Sequence, residues 1–225
     1  MRQFLQKLPL PVEFVLVVLG AFGLLITASL LQTLRPIAAP TTISDDGLKS
    51  VVRYELVVLV VLTTFLYLRG WTLERIGIRI TLRDTLIGLG FMLVAELIGM
   101  GALLLIAPIS PRLAGMIENA EAASGTLSIL SVLTFSIVNP IFEETFVCGY
   151  IIAALRGRAE PWTAINTSVA IRLLYHLYQG PAAAIGIVPF GLILAYWYAR
   201  SGRLWPAIAA HAAANLLDLS RFVAW

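Results

Sequence analysis

Charge is what this sequence has least of. Only 13% of its 225 residues are Asp, Glu, Lys or Arg, about half the share in an ordinary soluble domain. That scarcity excludes a free-standing soluble fold, because a chain that is 59% hydrophobic, with mean hydropathy +0.89, would aggregate in water. Cysteine is nearly absent: Cys148 stands alone, so an internal disulfide is impossible and the redox compartment cannot be read from it. Neither His-Glu-x-x-His nor a pair of cysteines occurs, which removes two common zinc spacings. A Gly-x-Ser-x-Gly elbow and a glycine-rich phosphate loop are missing too. The net charge of +3 is spread through short loops without a basic, aromatic-laced patch, so nucleic acid is not an expected partner.

What the sequence has instead is long apolar runs. A membrane helix needs about 20 mostly apolar residues, and seven candidates meet or approach that: Val12–Leu31, Val52–Leu68, Thr85–Pro108, Leu127–Leu155, Thr163–Tyr178, Ala182–Ala199 and Trp205–Leu217. The expected fold class is therefore all-α, a polytopic transmembrane helix bundle of about seven spans. The first run exceeds a typical signal-peptide core and reads as a retained helix that also targets the chain. Pro140 removes a backbone donor and crowds the preceding turn, so the fourth helix is expected to break there, with a fresh start near Ile141. Residues 1–126 form an N-terminal group of three spans, and residues 127–225 a second group.

Basic residues orient the chain. With the N-terminus cytoplasmic, inside segments hold ten (Arg2, Lys7, Arg69, Arg75, Arg79, Arg83, Arg156, Arg158, Arg200, Arg203). Outside segments hold five (Arg35, Lys49, Arg53, Arg112, Arg221). The excess favours an N-terminus inside and a C-terminus outside. Trp71, Trp162, Trp205 and Trp225 fall near span ends, as in an interfacial belt.

Ionisable groups within spans are costly and usually functional. Glu13 and Glu55 are placed near helix ends, within reach of the interface. Glu96, Glu143, Glu144 and Arg172 are not so easily excused, and both histidines, His176 and His211, also fall in spans, as does Asn215. Adjacent helical residues point about 100° apart, so Glu143 and Glu144 serve different directions: one faces a cavity, the other a neighbouring helix. Free backbone donors at a helix restarting after Pro140 would favour their carboxylates. Arg172 and His176 are one turn apart, and so are His211 and Asn215. A structural polar core is the bland alternative for each; the set taken together is harder to explain that way.

The order Glu143-Glu144, then His176, then His211-Ala-Ala-Ala-Asn215 resembles the CAAX protease and bacteriocin-processing (CPBP) family of intramembrane proteases, over about Pro140 to Leu217. The family's Glu-Glu-x-x-x-Arg has Cys148 in place of arginine, and its Phe-x-x-x-His has Arg172 in place of phenylalanine. The two departures suggest one relocation, with Arg172 pairing Glu144 from the next helix; Glu96 is the other carboxylate it could meet. Cys148 is then a packing residue.

The resemblance implies an intramembrane endopeptidase acting on a membrane-associated protein or peptide. Glu143 activates water, His176 shares or orients it, His211 and Asn215 stabilise the oxyanion, and Glu144 acts through Arg172. A zinc version, with Glu143, His176 and His211 as ligands and the fourth position open, stands beside a metal-free one. Expected partners are membrane lipid and a peptide or protein substrate, lipidated or not, in a bacterial or archaeal cell membrane. The competing class is an inactive scaffold or regulatory partner, favoured by the missing motif arginine. A two-histidine haem carrier would leave Glu143, Glu144 and Asn215 idle, and a transporter is disfavoured by the lack of an internal repeat.

Overall fold

The computed structural model describes residues 5–34, 42–106, 108–110, 124–180 and 183–223. Arg2, Arg35, Arg112 and Trp225, used above for orientation and the interface belt, lie outside them, as does Ala182. Among the described residues eight helices follow one another: α1 Leu10–Thr33, α2 Asp45–Leu68, α3 Leu73–Ile76, α4 Leu82–Ile106, α5 Ile129–Leu155, α6 Pro161–His176, α7 Ala184–Ser201 and α8 Trp205–Ser220. All seven expected helices are present, and α3 is a single extra turn. Five (α1, α2, α4, α5, α7) are long and apolar enough to cross a membrane, while α6 and α8, with 16 residues each, turn polar faces inward. Two three-residue strands, Thr42–Ser44 (β1) and Ser124–Thr126 (β2), pair in parallel and tie the start of α2 to the start of α5. The same corner is closed by Ser128 N donating to Asp45 Oδ1 at 2.9 Å.

The core is built around α5. In its most apolar window 78% of residues are buried, against 6% in α4, the outermost span. The expected break at Pro140 does not occur: Ile129–Glu144 is one unbroken α-helical stretch with Pro140 inside it. Irregularity comes later, where Thr145–Tyr150 widens into a π-helical segment. A widened turn leaves a carbonyl out of the regular ladder, and here the Tyr198 hydroxyl donates to Gly149 O (3.1 Å) and to Ile76 O (2.9 Å). Gly149 is needed because a Cβ there would lie 2.8 Å from Ile76 Cγ2. Glu143 and Glu144 therefore sit in mid-helix, with no free backbone donors, and their charges must be met by side chains.

A second polar cluster closes one end of the bundle. Glu13, expected to reach the interface, is only 2% exposed. It accepts from Arg69 Nε, from Trp71 Nε1 at 3.0 Å and from the Tyr150 hydroxyl at 3.1 Å. Arg69 also donates to the Leu5 and Leu8 carbonyls. Trp71 is thus an interior donor rather than a lipid anchor; Trp162 remains exposed.

The loop after α3 meets the loop before α8 backbone to backbone. Leu204 N donates to Gly77 O at 3.0 Å; Gly77 has φ +80°, and a Cβ there would lie 1.7 Å from Gly202 O. Gly77→Ala is expected to destabilise the protein by about 2–4 kcal/mol, since both the left-handed backbone and the close approach oppose a side chain. Thermal unfolding in detergent, with Gly101→Ala as control at a position open around its Cβ, measures this.

Candidate active site

Four helices bring polar side chains to one place. From α5 come Asn139, Glu143 and Glu144, from α6 Arg172 and Tyr175, from α8 His211 and Asn215, and from α2 Glu55. The centre is an ion pair: Arg172 Nη2 lies 2.7 Å from both oxygens of Glu144, and Arg172 Nη1 is 3.7 Å from Glu143 Oε2. Both partners are almost wholly buried. The carboxylate that Arg172 meets is Glu144; Glu96 is exposed on α4. His211 Nδ1 completes the group 2.7 Å from Glu144 Oε1, and the ring of Phe190 packs edge-on against that imidazole.

Glu143 points the other way round the helix. Its Oε2 accepts from the Tyr175 hydroxyl at 2.6 Å and its Oε1 from Asn139 Nδ2 at 3.0 Å. Tyr175 is held by Phe22 of α1, whose ring stacks on it at 4.9 Å with a 5° tilt. Asn139 Oδ1 in turn accepts from Asn215 Nδ2 at 2.9 Å, so Asn215 joins the carboxylate through one intervening amide. The adjacent glutamates thus divide their directions as the helical geometry requires, Glu144 to Arg172 and His211, Glu143 to Tyr175 and Asn139.

His176 stands at the edge. It is half-buried at the last turn of α6, one turn beyond Arg172, with its ring against Tyr175 (4.6 Å between centroids). Its Nδ1 is enclosed and makes no hydrogen bond among the described residues. The trio whose ligand atoms gather within 4.8 Å is Glu143, Glu144 and His211, which differs in one member from the expected Glu143, His176 and His211. Each oxygen of that trio already accepts from a protein donor, and the Arg172 guanidinium lies among them. A divalent cation there would have to displace Tyr175, Asn139 or Arg172 and tolerate the nearby positive charge, so this arrangement of donors fits zinc poorly.

Cys148, one turn past Glu144, is fully buried with its Sγ 3.9 Å from Ser168 Oγ, a packing environment with no access for a nucleophile. Three members of the network were not among the expected site residues. From the sequence, Asn139 and Tyr175 are passed over and Glu55 is placed within reach of the interface. Glu55 is 1% exposed, and its Oε1 accepts from Asn139 Nδ2 at 2.6 Å.

The fold and the site together define a membrane-embedded helical protein with a buried carboxylate, histidine and asparagine centre. Residues 125–217 match the family described as Rce1-like, type II CAAX prenyl endopeptidase, a match consistent with the CAAX protease family that the motifs of this stretch resemble. No curated protein and no solved structure gives a match. The matched stretch runs from β2 to α8 and contains every expected site residue, but neither Glu55 nor Phe22.

Removing one member of a buried ion pair leaves an uncompensated charge, at a cost of roughly 3–5 kcal/mol. Arg172→Ala is expected to lower stability by that order. Arg172→Phe with Cys148→Arg, which returns a guanidinium one turn from Glu144, is expected to recover most of the loss. Thermal unfolding of the three proteins tests the relocation, and an equally unstable double variant contradicts it.

Proposed function

We propose that this protein is an intramembrane endopeptidase that hydrolyses a peptide bond of a membrane-associated protein or peptide by a metal-free, glutamate-activated water. The supporting observation is the environment of Glu143. Its two oxygens are steered by Tyr175 and Asn139, and each retains a lone pair for a water. The neighbouring Glu144 is fully engaged by Arg172 and His211, which leaves Glu143 as the carboxylate for general-base work. Its charge is held between two donors rather than cancelled by a bidentate cation.

Water activated at Glu143 attacks the scissile carbonyl. The proton taken by Glu143 passes to the leaving amine, so the carboxylate is regenerated. His176, with a free Nδ1 beside Tyr175, orients the water or shares its proton. Asn215 has a second amide hydrogen beyond the one given to Asn139, and the His211 ring, with Nδ1 on Glu144, keeps Nε2 for the substrate. These two groups face the oxyanion, the charge that develops as water adds to the carbonyl.

A prenylated C-terminal peptide is the first substrate to try, on the strength of the family resemblance. The excess of arginines at the ends of α2, α5 and α7 supports an N-terminus on the cytoplasmic side of the membrane. An inactive scaffold is the second reading. The missing motif arginine favoured it, but the Arg172–Glu144 pair restores the charge that was thought lost.

Purified protein in lipid vesicles is expected to cleave an internally quenched prenylated CAAX peptide. Glu143→Gln should lower kcat by at least about 100-fold, the scale of a lost general base, and a chelator such as 1,10-phenanthroline should leave the rate unchanged. Cleavage that chelation abolishes and zinc restores would establish the metal version. Unimpaired cleavage by Glu143→Gln would remove the general-base role.

A further inference from the structure

We infer that Glu55 of α2 is a positioning residue of the site, acting through Asn139 to aim both the general base and the oxyanion donor; this rests on the hydrolase reading proposed above. Glu55 lies ten residues into a 24-residue helix, about 15 Å from its start at 1.5 Å per residue. Its side chain is only 1% exposed. On α2 the buried residues are Val52, Glu55, Leu62 and Leu66, while Leu56, Val57, Val60 and Val61 are exposed. The carboxyl is therefore turned from the lipid-facing side into the protein. Tyr54 fixes the helix in that rotation, its hydroxyl donating to Ala21 O at 3.2 Å and its ring edge-on to Phe142.

A carboxyl in this setting is costly unless it does something, and among the described residues its one hydrogen-bond partner is Asn139; Oε2 has none. Asn139 has two amide hydrogens and one carbonyl. One hydrogen goes to Glu55, the other to Glu143 Oε1, and the carbonyl accepts from Asn215. With all three positions used, the amide has one orientation: turned over, it would set its oxygen against two carboxyl oxygens and its NH2 against the NH2 of Asn215. Glu55 supplies the acceptor that keeps the amide from turning. Because that one amide touches both Glu143 and Asn215, loss of Glu55 loosens base and oxyanion donor together while leaving the ion pair at Glu144 intact.

The test uses the full chain in vesicles with the internally quenched prenylated CAAX peptide. Glu55→Gln keeps an oxygen acceptor at the same reach and is expected to stay within about threefold of wild-type kcat. Glu55→Leu removes the acceptor, and Glu55→Asp withdraws it by one methylene. Both are expected to lose kcat by about 100-fold, the scale of a misplaced reacting group, with KM within about twofold and unfolding temperature retained. The pair Glu55→Leu with Asn139→Leu should be no slower than Asn139→Leu alone, since the two act along one path. Wild-type kcat in Glu55→Leu or Glu55→Asp beside an inactive Glu143→Gln overturns this assignment alone. A Glu55→Gln variant as slow as Glu55→Leu also overturns it, because the carboxyl would then act by its own proton. Unimpaired Glu143→Gln overturns the general-base reading, and this assignment with it.

Discussion

The structure depends on one buried ion pair, Arg172 with Glu144. Neither group can reach water, and each would cost several kcal/mol if stranded. The contact fixes the rotation of α5 against α6, and His211 Nδ1 on the same carboxylate fixes α8 against both. Once Glu144 is anchored, the preceding residue has no freedom left. Glu143 projects about 100° further round the helix, which aims it at Tyr175 and Asn139. The physical demand is for one guanidinium on Glu144; which helix supplies it is secondary. An arginine one turn along α5 could meet that demand, and here the meeting is made across helices while Cys148 fills the small space left behind.

The same rule governs the other polar groups. In an apolar surrounding an unsatisfied polar side chain is destabilising, and polar residues of α5 form two sets, one before its π-helical segment and one at that segment's last residue. In the first are Asn139, Glu143 and Glu144. In the second is Tyr150, whose hydroxyl joins Glu13, Arg69 and Trp71. The segment between them approaches Ile76 and Leu204 so closely that only glycine fits at 149. The wide turn, the Tyr198 hydrogen bonds and the Glu13 cluster together set where α5 sits along its axis, and the register of the two glutamates follows from that.

Much of this was legible in the sequence because the bilayer imposes a length. Runs near 20 apolar residues marked every main helix, and one-turn spacings marked Arg172 with His176 and His211 with Asn215. The errors have identifiable physical sources. Starting the second span at Val52 put Glu55 near an end, but α2 begins at Asp45, where Ser44 accepts from Gly47 N and two aspartates occupy the first turn. That N-cap signature was readable and would have placed Glu55 deep in the helix. Pro140 does not break the helix, because tertiary packing around a span whose most apolar window is 78% buried holds the chain helical through it. Asn139 stands one turn before Glu143 on the same helix, a readable spacing, whereas Tyr175 had no local signal, since its partner Glu143 lies 32 residues away on another helix. The π-helical segment had none either, because it depends on Ile76 and Leu204.

The extent of the family match raises a point about where a site ends. Residues 125–217 contain the glutamates, the arginine, the histidines and Asn215, and taken alone they suggest a self-sufficient centre. Yet Tyr175, which steers one oxygen of Glu143, is held in place by Phe22, and Asn139, which steers the other, is shared with Glu55. Both oxygens of the proposed base are thus oriented from α1 and α2, one relay removed. A hydrolytic carboxylate needs not only to exist but to be held within a fraction of an ångström of its working position. That precision comes from groups which carry no chemistry of their own. The first two helices are therefore part of the proposed site's geometry, and substitutions on their inward faces should be read as changes to that site.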